Sequence, residues 1–287
     1  MASGTIASVL PDHVREHYDR LSSLYHAFWG EHIHHGLWAE GRESLSPAEA
    51  QVALIENLAR AAGIPEGASV LDVGCGLGGS SFWLALNRGC MVQGVTLSPV
   101  QCRLATKRAK ELGLDHQVRF EVADANALGG AAASFDAIWV VECSEHLADK
   151  PRFLDTCHRL LKPGGVLALC AWLRGEDLTG EGANLVRDIC EGMLCPSLAS
   201  RSEYERWMTE AGFGAIETKD LTRQVERTWE VCSGILSRVH IDRMLGWIDP
   251  ASRRFLEAFP LMRRAYAENA MAYGLFVAGA SPYQVSD

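Results

Sequence analysis

The glycine-rich stretch at residues 70–81 constrains the fold of this chain more than any other feature. It reads VLDVGCGLGGSS, an aliphatic run that ends at Val73 and is followed by four glycines within six residues. This pattern predicts a buried strand, a tight turn and the N-terminus of a helix. Glycines lack the Cβ atom that keeps a ligand away from the backbone, and the N–H groups of a helix start attract an anion. The stretch therefore predicts a ligand site at the end of a strand.

The glycine spacing leaves two classes of cofactor open. Gly74, Gly76 and Gly79 fit the G-x-G-x-x-G pattern of dinucleotide-binding oxidoreductases. Those proteins place an acidic residue near the end of the next strand to bind the ribose, but Thr96 lies there in this chain. Asp72 would repel a pyrophosphate and attract an amino group. Both residues favour S-adenosyl-L-methionine, which carries a carboxylate, an ammonium and a sulfonium, over a dinucleotide.

Several segments together resemble a known family. The glycine-rich stretch resembles the first motif of class I S-adenosylmethionine-dependent methyltransferases. Within that superfamily the chain is more similar to the γ-tocopherol methyltransferase group. The segments that carry this similarity are WGEHIHHG, GSS, VTLSPVQ, ECSEH and DK, at residues 29–36, 79–81, 95–101, 142–146 and 149–150. The resemblance implies S-adenosyl-L-methionine as cofactor and S-adenosyl-L-homocysteine as product.

The order of strands and helices predicts a doubly wound, Rossmann-like α/β fold with ligands at the carboxyl ends of the strands. Capping boxes predict helix starts at Ser46, Ser98 and Ser202. The strands are expected at residues 70–73, 91–96, 118–123, 135–141, 166–171, 215–218 and 273–278. The resemblance implies that these seven strands form one sheet.

We expect a single methyltransferase domain over residues 1–287. Four parts are expected in chain order, namely an N-terminal helical cover, a cofactor-binding core, a helical substrate lid, and the last strand with the tail, at residues 1–62, 63–222, 223–270 and 271–287. The lid contains many apolar side chains, among them Trp229, Trp247 and Phe259. These side chains could pack on the sheet as ordinary core residues or line an apolar substrate pocket, and both uses are compatible.

Composition excludes several classes of partner and compartment. The net charge of −9 and the lack of a Lys/Arg cluster argue against nucleic acid. No apolar run reaches the roughly 20 residues of a membrane span, and the start of the chain lacks the basic residues of a signal peptide. Nine cysteines, an odd number without zinc-ligand spacing, predict reduced thiols in the cytoplasm and no metal site.

The resemblance, together with the position of Asp72, predicts the cofactor contacts. The ends of the second and third strands would meet the ribose and adenine. Asp124 would accept from the adenine amino group, or would only start a turn. The segment with His34 and His35 would fold over the methionine end or form a surface loop. The predicted contacts are Asp72, Gly74, Cys75, Gly76, Thr96, Leu97, Gln101, Asp124, Ala125, Glu142 and His34.

The residues that follow the fourth strand are the catalytic candidates. An unperturbed histidine has a pKa near neutral pH, so His146 is the expected base for an acceptor that must lose a proton. Glu145 belongs to the same Glu-His pair, and Glu142 is expected to position cofactor or substrate. The alternative is that His146 and Glu145 only anchor the loop through hydrogen bonds.

The resemblance implies that the acceptor is a small, hydrophobic aromatic molecule. The methylated atom would be a ring carbon, an indole or amine nitrogen, or a hydroxyl oxygen. Two alternatives stand beside this prediction. One is methylation of a sugar or phenol hydroxyl in natural-product tailoring, and the other is a non-catalytic protein that binds a nucleotide cofactor.

Overall fold

In residues 11–238 and 250–280, which the computed structural model describes, seven strands form one sheet. The strands β1 to β7 are Ser69–Val73, Met91–Thr96, Val118–Val122, Phe135–Val141, Leu161–Arg174, Phe213–Asp220 and Met271–Ala280. Their order across the sheet is β3-β2-β1-β4-β5-β7-β6. Strand β7 is antiparallel to both of its neighbours, and the other pairs are parallel. This arrangement confirms the predicted Rossmann-like fold.

Helices pack on both faces of the sheet. Helices α1 to α10 are Pro11–Trp29, Pro47–Ala62, Gly79–Arg88, Pro99–Glu111, Lys150–Leu160, Gly180–Gly192, Arg201–Glu210, Thr222–Val225, Arg227–Arg238 and Pro250–Ala267. Two short 3-10 turns, at Ala125–Ala127 and Ser144–His146, follow β3 and β4. No described helix is both long and apolar enough to cross a membrane.

The central strand β4 separates two apolar cores. Ala137 and Trp139 face one core, and Ile138 and Val140 face the other. All four side chains are completely buried. A strand covered on both sides is typical of a parallel sheet. The sheet is therefore firmly packed where the segment after β4 begins. We call this segment, residues 142–146, the rim.

The chain between β5 and β6 departs from the sequence-based prediction. Strand β5 begins at Leu161, passes through a register shift and continues to Arg174, where it still pairs with β7. Helix α7 is capped by Ser200 in a box with Glu203, so the box predicted at Ser202 is wrong. The box predicted at Ser46 is confirmed.

The region of the cover helix α1 contacts both ends of α4. The Ser98 hydroxyl donates to Asp19 at 2.5 Å, and Arg108 pairs with Glu31 just beyond α1 at 2.9 Å. These contacts hold α1 against α4, above the carboxyl end of β2. The expected lid residue Trp247, the first ten residues and the tail from 281 lie outside the described residues.

Candidate active site

A cleft lies at the carboxyl ends of β1, β2, β3 and β4. Eight of the predicted cofactor residues line it, namely Gly74, Gly76, Thr96, Leu97, Gln101, Asp124, Ala125 and Glu142. Pro11, Val14 and Tyr18 of α1 close the cleft from above. Sequence reasoning assigned these α1 residues no ligand role beyond the expected N-terminal helical cover.

Two glycines of the turn, Gly74 and Gly76, have different surroundings. Gly74 has a φ of +75°, and a Cβ atom there would lie 2.5 Å from the side chain of Cys143. Gly76 also has a positive φ, +55°, but a Cβ atom there would meet nothing within 4 Å. Because Gly76 lines the cleft, the space beside it belongs to the ligand site.

Replacing Gly76 by asparagine is expected to weaken binding of S-adenosyl-L-homocysteine by at least about tenfold, or about 1.4 kcal/mol. Asparagine tolerates a positive φ, so the fold should survive while the side chain fills the cleft. Calorimetric titration measures the effect. Gly63→Asn is the matched control, because Gly63 has a φ of +58° and open space around it but ends α2 away from the cleft. Equal affinity of both variants would contradict the assignment.

Asp72 lies behind the cleft rather than in its wall. Its carboxylate accepts a hydrogen bond from the Ser81 hydroxyl at 2.6 Å, which links β1 to the first turn of α3. Burial raises the pKa of Asp72 to about 7, although the bonds from Ser81 act in the opposite direction. Cys75 is buried in the apolar core next to it. The cofactor contacts expected for both residues remain predictions.

Two hydrogen-bond networks shape the outer part of the cleft. Thr96 donates to the Gln101 side chain at 2.7 Å, and Ser98 caps α4 by accepting from the Gln101 N–H. The side chain of Gln101 therefore does not return to Ser98, and the predicted capping box is only half formed. Asp124 starts a turn, since its Oδ1 accepts from the backbone and side-chain N–H groups of Asn126.

Two imidazoles lie near the start of α3, the half-buried ring of His32 and the buried ring of His34. The Nδ1 of His34 donates to the carbonyl of His35 at 2.8 Å, so its Nε2 is the basic nitrogen. That Nε2 and the Nδ1 of His32 have no hydrogen-bond partner in the described part of the chain. Burial lowers the pKa of His34 and brings that of His32 to about 3. A Cβ atom on Gly79 would lie 2.5 Å from His32 Nδ1, which places this ring against the helix start.

Glu142 is the centre of a buried network. Its carboxylate accepts from the backbone N–H of His35 at 2.8 Å and from His35 Nδ1 at 3.0 Å. Trp172 Nε1 and the Tyr273 hydroxyl also donate to it, each at 2.8 Å. Burial opposes its ionisation, but His35 holds the pKa of Glu142 at about 2. Glu142 therefore remains an acceptor with its oxygens engaged, as suits a positioning residue.

Four aromatic side chains surround the imidazole of His35. The ring centroids of Trp172, Trp229, Tyr266 and Tyr273 lie 5.0–6.1 Å from that of His35. They come from β5, α9, α10 and β7. We call this group the aromatic cage. Glu142 belongs to the cleft wall and also binds His35, so the cleft and the cage share that residue.

Glu145 faces away from the cleft. Its Oε1 accepts from the backbone N–H of Trp172 at 2.6 Å, and its Oε2 is buried with no hydrogen-bond partner among the described residues. Burial, together with the charge of Glu142, raises its pKa to about 8. Glu145 is therefore a neutral acid at pH 7. Its position corresponds to the predicted loop anchor more closely than to a group in the cleft.

His146 lines the cleft. Its Nδ1 donates to the carbonyl of Leu194 at 3.0 Å, and Tyr18 of the cover helix donates to its Nε2 at 3.2 Å. Leu194 has a φ of +56°, an uncommon backbone conformation for such a residue. Burial lowers the pKa of His146. The ring thus joins α1 to the chain after α6. The roles of His146 as base or as loop anchor both remain predictions.

Comparison with known proteins identifies the family. The Methyltransferase domain family matches residues 71–169. The chain is 32% identical over 244 residues to "Tocopherol O-methyltransferase, chloroplastic" of Arabidopsis thaliana, covering 79% of this chain and 70% of that one. It is 33% identical over 221 residues to the 27-O-demethylrifamycin SV methyltransferase of Amycolatopsis mediterranei, with 76% and 80% covered.

A rice relative and two solved structures extend the comparison. The Oryza sativa protein "Probable tocopherol O-methyltransferase, chloroplastic" is 34% identical over 226 residues, which are 74% of this chain and 62% of the rice protein. The cyclase SpnF shares the fold with a TM-score of 0.84 at 24% identity, covering 98% of this chain and 100% of that one. A geranyl diphosphate methyltransferase in complex with S-adenosylmethionine has a TM-score of 0.71 at 25% identity, with 87% and 98% covered.

The fold and the cleft define a Rossmann-like protein that binds a nucleoside cofactor at its strand ends. The chain belongs to the class I S-adenosylmethionine-dependent methyltransferases and is similar to their tocopherol methyltransferase group. S-adenosyl-L-methionine is the cofactor of this family. The dinucleotide interpretation of the glycine turn is therefore wrong.

Proposed function

We propose that this protein transfers a methyl group from S-adenosyl-L-methionine to a small, hydrophobic aromatic acceptor. The observation that supports this most is the shared residue Glu142. It lines the cleft at the strand ends and also orients His35 inside the aromatic cage. A cofactor in the cleft would therefore lie next to a wall backed by aromatic side chains, which suits an aromatic acceptor at the cleft.

The residues of the cleft fit the cofactor. Helix α3 starts at Gly79 without a side-chain cap on Gly78, so its first N–H groups suit a carboxylate. The unpartnered Nδ1 of His32 lies at the same helix start, and a neutral imidazole suits an ammonium donor. His34 does not line the cleft, and its expected cofactor contact remains a prediction. The strand ends with Thr96 and Asp124 would hold the ribose and adenine.

When bound, S-adenosyl-L-methionine supplies an activated methyl group on a sulfonium. The chain's own contribution is alignment of the acceptor and exclusion of water. Helix α1 covers the cleft through Tyr18, and His146 holds that helix in place. Apolar surroundings do not oppose a reaction in which a positive charge disappears. Glu142 and His146 would act at the wall of the cleft. Glu145, buried behind them, would support the segment 142–146.

The aromatic side chains behind the cleft and the named relatives support this acceptor class. Residues 223–270 contribute Trp229 and Tyr266 to the cage, which suits the expected substrate lid. The relatives are named as methyltransferases of tocopherol, 27-O-demethylrifamycin SV and, in Synechocystis, 2-methyl-6-phytyl-1,4-hydroquinone.

All nine cysteines are free thiols, which supports a reducing compartment such as the cytoplasm.

Calorimetry followed by an acceptor screen tests the proposal. We expect S-adenosyl-L-methionine and S-adenosyl-L-homocysteine to bind with micromolar affinity and NAD not to bind. Phenols, chromanols and indoles are then incubated with protein and cofactor, and methylated product is measured by mass spectrometry. Cofactor binding without turnover of any acceptor would favour a non-catalytic binding protein, and methylation of sugars alone would contradict the aromatic acceptor.

A further inference from the structure

Strand β3 lies at one end of the sheet. It comes first in the strand order, and β2 is its one strand neighbour among the described residues. An edge strand presents backbone N–H and C=O groups that can pair with another chain, and proteins commonly protect such an edge with Lys or Pro. Strand β3 has the sequence VRFEV, which contains neither. The described residues thus leave this edge open to a further strand.

The backbone hydrogen bonds show which groups of β3 face away from the sheet. The N–H of Val92 donates to the carbonyl of Gln117, and the N–H of Ala123 donates to the carbonyl of Thr96. Successive residues of a strand direct their backbone groups to opposite sides. The odd-numbered residues of β3 therefore bond to β2, and residues 118, 120 and 122 direct their N–H and C=O groups outward.

The side chains of β3 include two charges of opposite sign and an exposed apolar group. Arg119 donates to the side-chain oxygen of Gln93 at 3.1 Å, and the amide of Gln93 donates to Glu121 at 3.3 Å. Both charged side chains are exposed, and neither has an ion-pair partner in the part of the chain that the structure describes. Val122 is 51% exposed. These three side chains are available to a partner.

We infer that the edge of β3 is a self-association surface, at which a second copy of this chain adds its own β3 in antiparallel orientation. A two-fold axis relates two identical antiparallel strands, and it is the commonest symmetry of homo-oligomers. Phe120 would lie opposite Phe120 of the second copy, Arg119 opposite Glu121, and Val118 opposite Val122. The inference is independent of the methyltransferase function proposed above.

The two charges select this register. Because only the even-numbered residues can bond across the edge, the register changes in steps of two residues. One step in one direction places Arg119 opposite Arg119, and one step in the other places Glu121 opposite Glu121. Like charges directly opposite each other are destabilising, whereas opposite charges stabilise a strand pair. The register centred on Phe120 pairs Arg with Glu twice.

The same register satisfies the outward backbone donors. The N–H of Phe120 in each copy would donate to the carbonyl of Phe120 in the other, and the N–H of Val122 would donate to the carbonyl of Val118. The N–H of Val118 needs no partner across the edge, because it already donates to the carbonyl of Leu114 within the chain. Pairing therefore leaves no outward N–H group of β3 without an acceptor.

The two faces of β3 are compatible with such a pair. Val118 and Phe120 point into the core, so the partner strand need not disturb them. Arg119 and Glu121 border a groove on the other face, which Leu128 also lines. Charge pairs at the edge of a groove are less exposed to water than pairs on a convex surface, which strengthens them.

Sedimentation velocity of the full-length protein, from low micromolar to submillimolar concentration, tests the inference. A five-residue strand edge is a small interface, so we expect a dimer that dissociates on dilution. Arg119→Glu alone, or Glu121→Arg alone, should raise the dissociation constant at least about tenfold, because both cross-strand charge pairs become repulsive. Lys219→Glu, an exposed residue of the other edge strand β6, is the control with the same change of charge as Arg119→Glu.

Mixing the two charge reversals tests the register. The Arg119→Glu protein carries two glutamates on β3, and the Glu121→Arg protein carries two arginines. An equimolar mixture should form heterodimers with an affinity within about threefold of the wild-type dimer. The double variant, with both reversals in one chain, should form homodimers again. Failure of both combinations to associate would overturn the register centred on Phe120.

Hydrogen exchange measured by mass spectrometry locates the contact. The amides of Phe120 and Val122 should exchange more slowly as the wild-type concentration rises, and Arg119→Glu should abolish this dependence. Urea unfolding at dilute, monomeric concentration should differ by less than about 0.5 kcal/mol among the proteins, because the substituted side chains are exposed. Altered association would then not reflect a damaged fold.

The remaining outcomes decide against the inference. A wild-type protein that stays monomeric at submillimolar concentration would overturn it, and so would a dimer that both charge reversals leave unchanged. Slow exchange of the β3 amides at every concentration would mean that another segment of the same chain covers the edge, and would also overturn it. None of these results bears on the proposed function, which is tested by cofactor binding and turnover.

Discussion

Replacing Glu142 by alanine is expected to lower the free energy of unfolding by roughly 3–5 kcal/mol, because breaking a buried ion pair from one side leaves the other group unpaired. The N–H and O–H groups of His35, Trp172 and Tyr273 that donate to the Glu142 carboxylate would all lose their acceptor. Urea unfolding measures the loss. Turnover should also fall, because Glu142 is part of the cleft wall.

A second substitution separates the hydrogen bonds from backbone strain. Glu142 has a φ of +52°, which costs a non-glycine residue roughly 1–2 kcal/mol. Glu142→Gly removes that cost but leaves the same donors unpaired, so it should be more stable than Glu142→Ala and equally inactive. Glu121→Ala, on the edge strand β3, should change stability by less than about 0.5 kcal/mol. A loss below about 1 kcal/mol in Glu142→Ala would contradict the network.

The sheet was predictable because its signals are local. An apolar run between turn residues defines a buried strand whatever lies around it, and β4 begins and ends where that run does, at Phe135 and Val141. The start of α7 was not predictable in the same way. The chain offers two overlapping Ser-x-x-Glu patterns, and Ser202 is used by Glu176, which accepts from its hydroxyl. Ser200 then caps the helix.

The position of the cleft was also predictable, but the partners of its carboxylates were not. Parallel strands bring their carboxyl ends to one edge, so Thr96, Asp124 and Glu142 had to meet there. The donors to Glu142 come from Trp172 and Tyr273, which are opposite each other in the β5–β7 pair. That register depends on a long connection between β6 and β7. No local pattern in the sequence determines it.

The rim after β4 shows that a sequence motif does not determine where each of its side chains points. The segment ECSEH marked the site, but three of its residues face different surroundings. Glu142 meets the cage, Glu145 is buried behind the rim, and His146 lines the cleft. The short 3-10 turn at Ser144–His146 separates them, and its geometry depends on packing. The sequence thus located the rim and left open which residue reaches an acceptor.

Glu145→Gln is expected to change how stability depends on pH. The folded protein holds the pKa of Glu145 at about 8, above the ordinary value of 4.5, mainly through burial. Between these values the unfolded chain has lost the proton and the folded chain keeps it. Raising the pH through this window therefore destabilises the wild-type protein, by up to about 1.4 kcal/mol per pH unit. Above the folded pKa the loss is complete.

Glutamine stays neutral at every pH, so Glu145→Gln should lack this contribution. Its Oε1 can still accept from the backbone N–H of Trp172, whereas its amide adds a buried donor that costs roughly 1–3 kcal/mol. Near about pH 5 the free energy of unfolding of the variant should be lower than that of the wild type. The difference should shrink as the pH rises to about 8, because only the wild type loses stability over this range. Urea unfolding across this range measures both curves, with the exposed Glu66→Gln as control. The buried Asp72, whose pKa is also raised, contributes the same slope to every protein in the series. If the free energy of unfolding depended on pH in the same way for wild type and Glu145→Gln, Glu145 would be ionised in the folded protein. The rim would then carry two buried negative charges, on Glu142 and Glu145, instead of one.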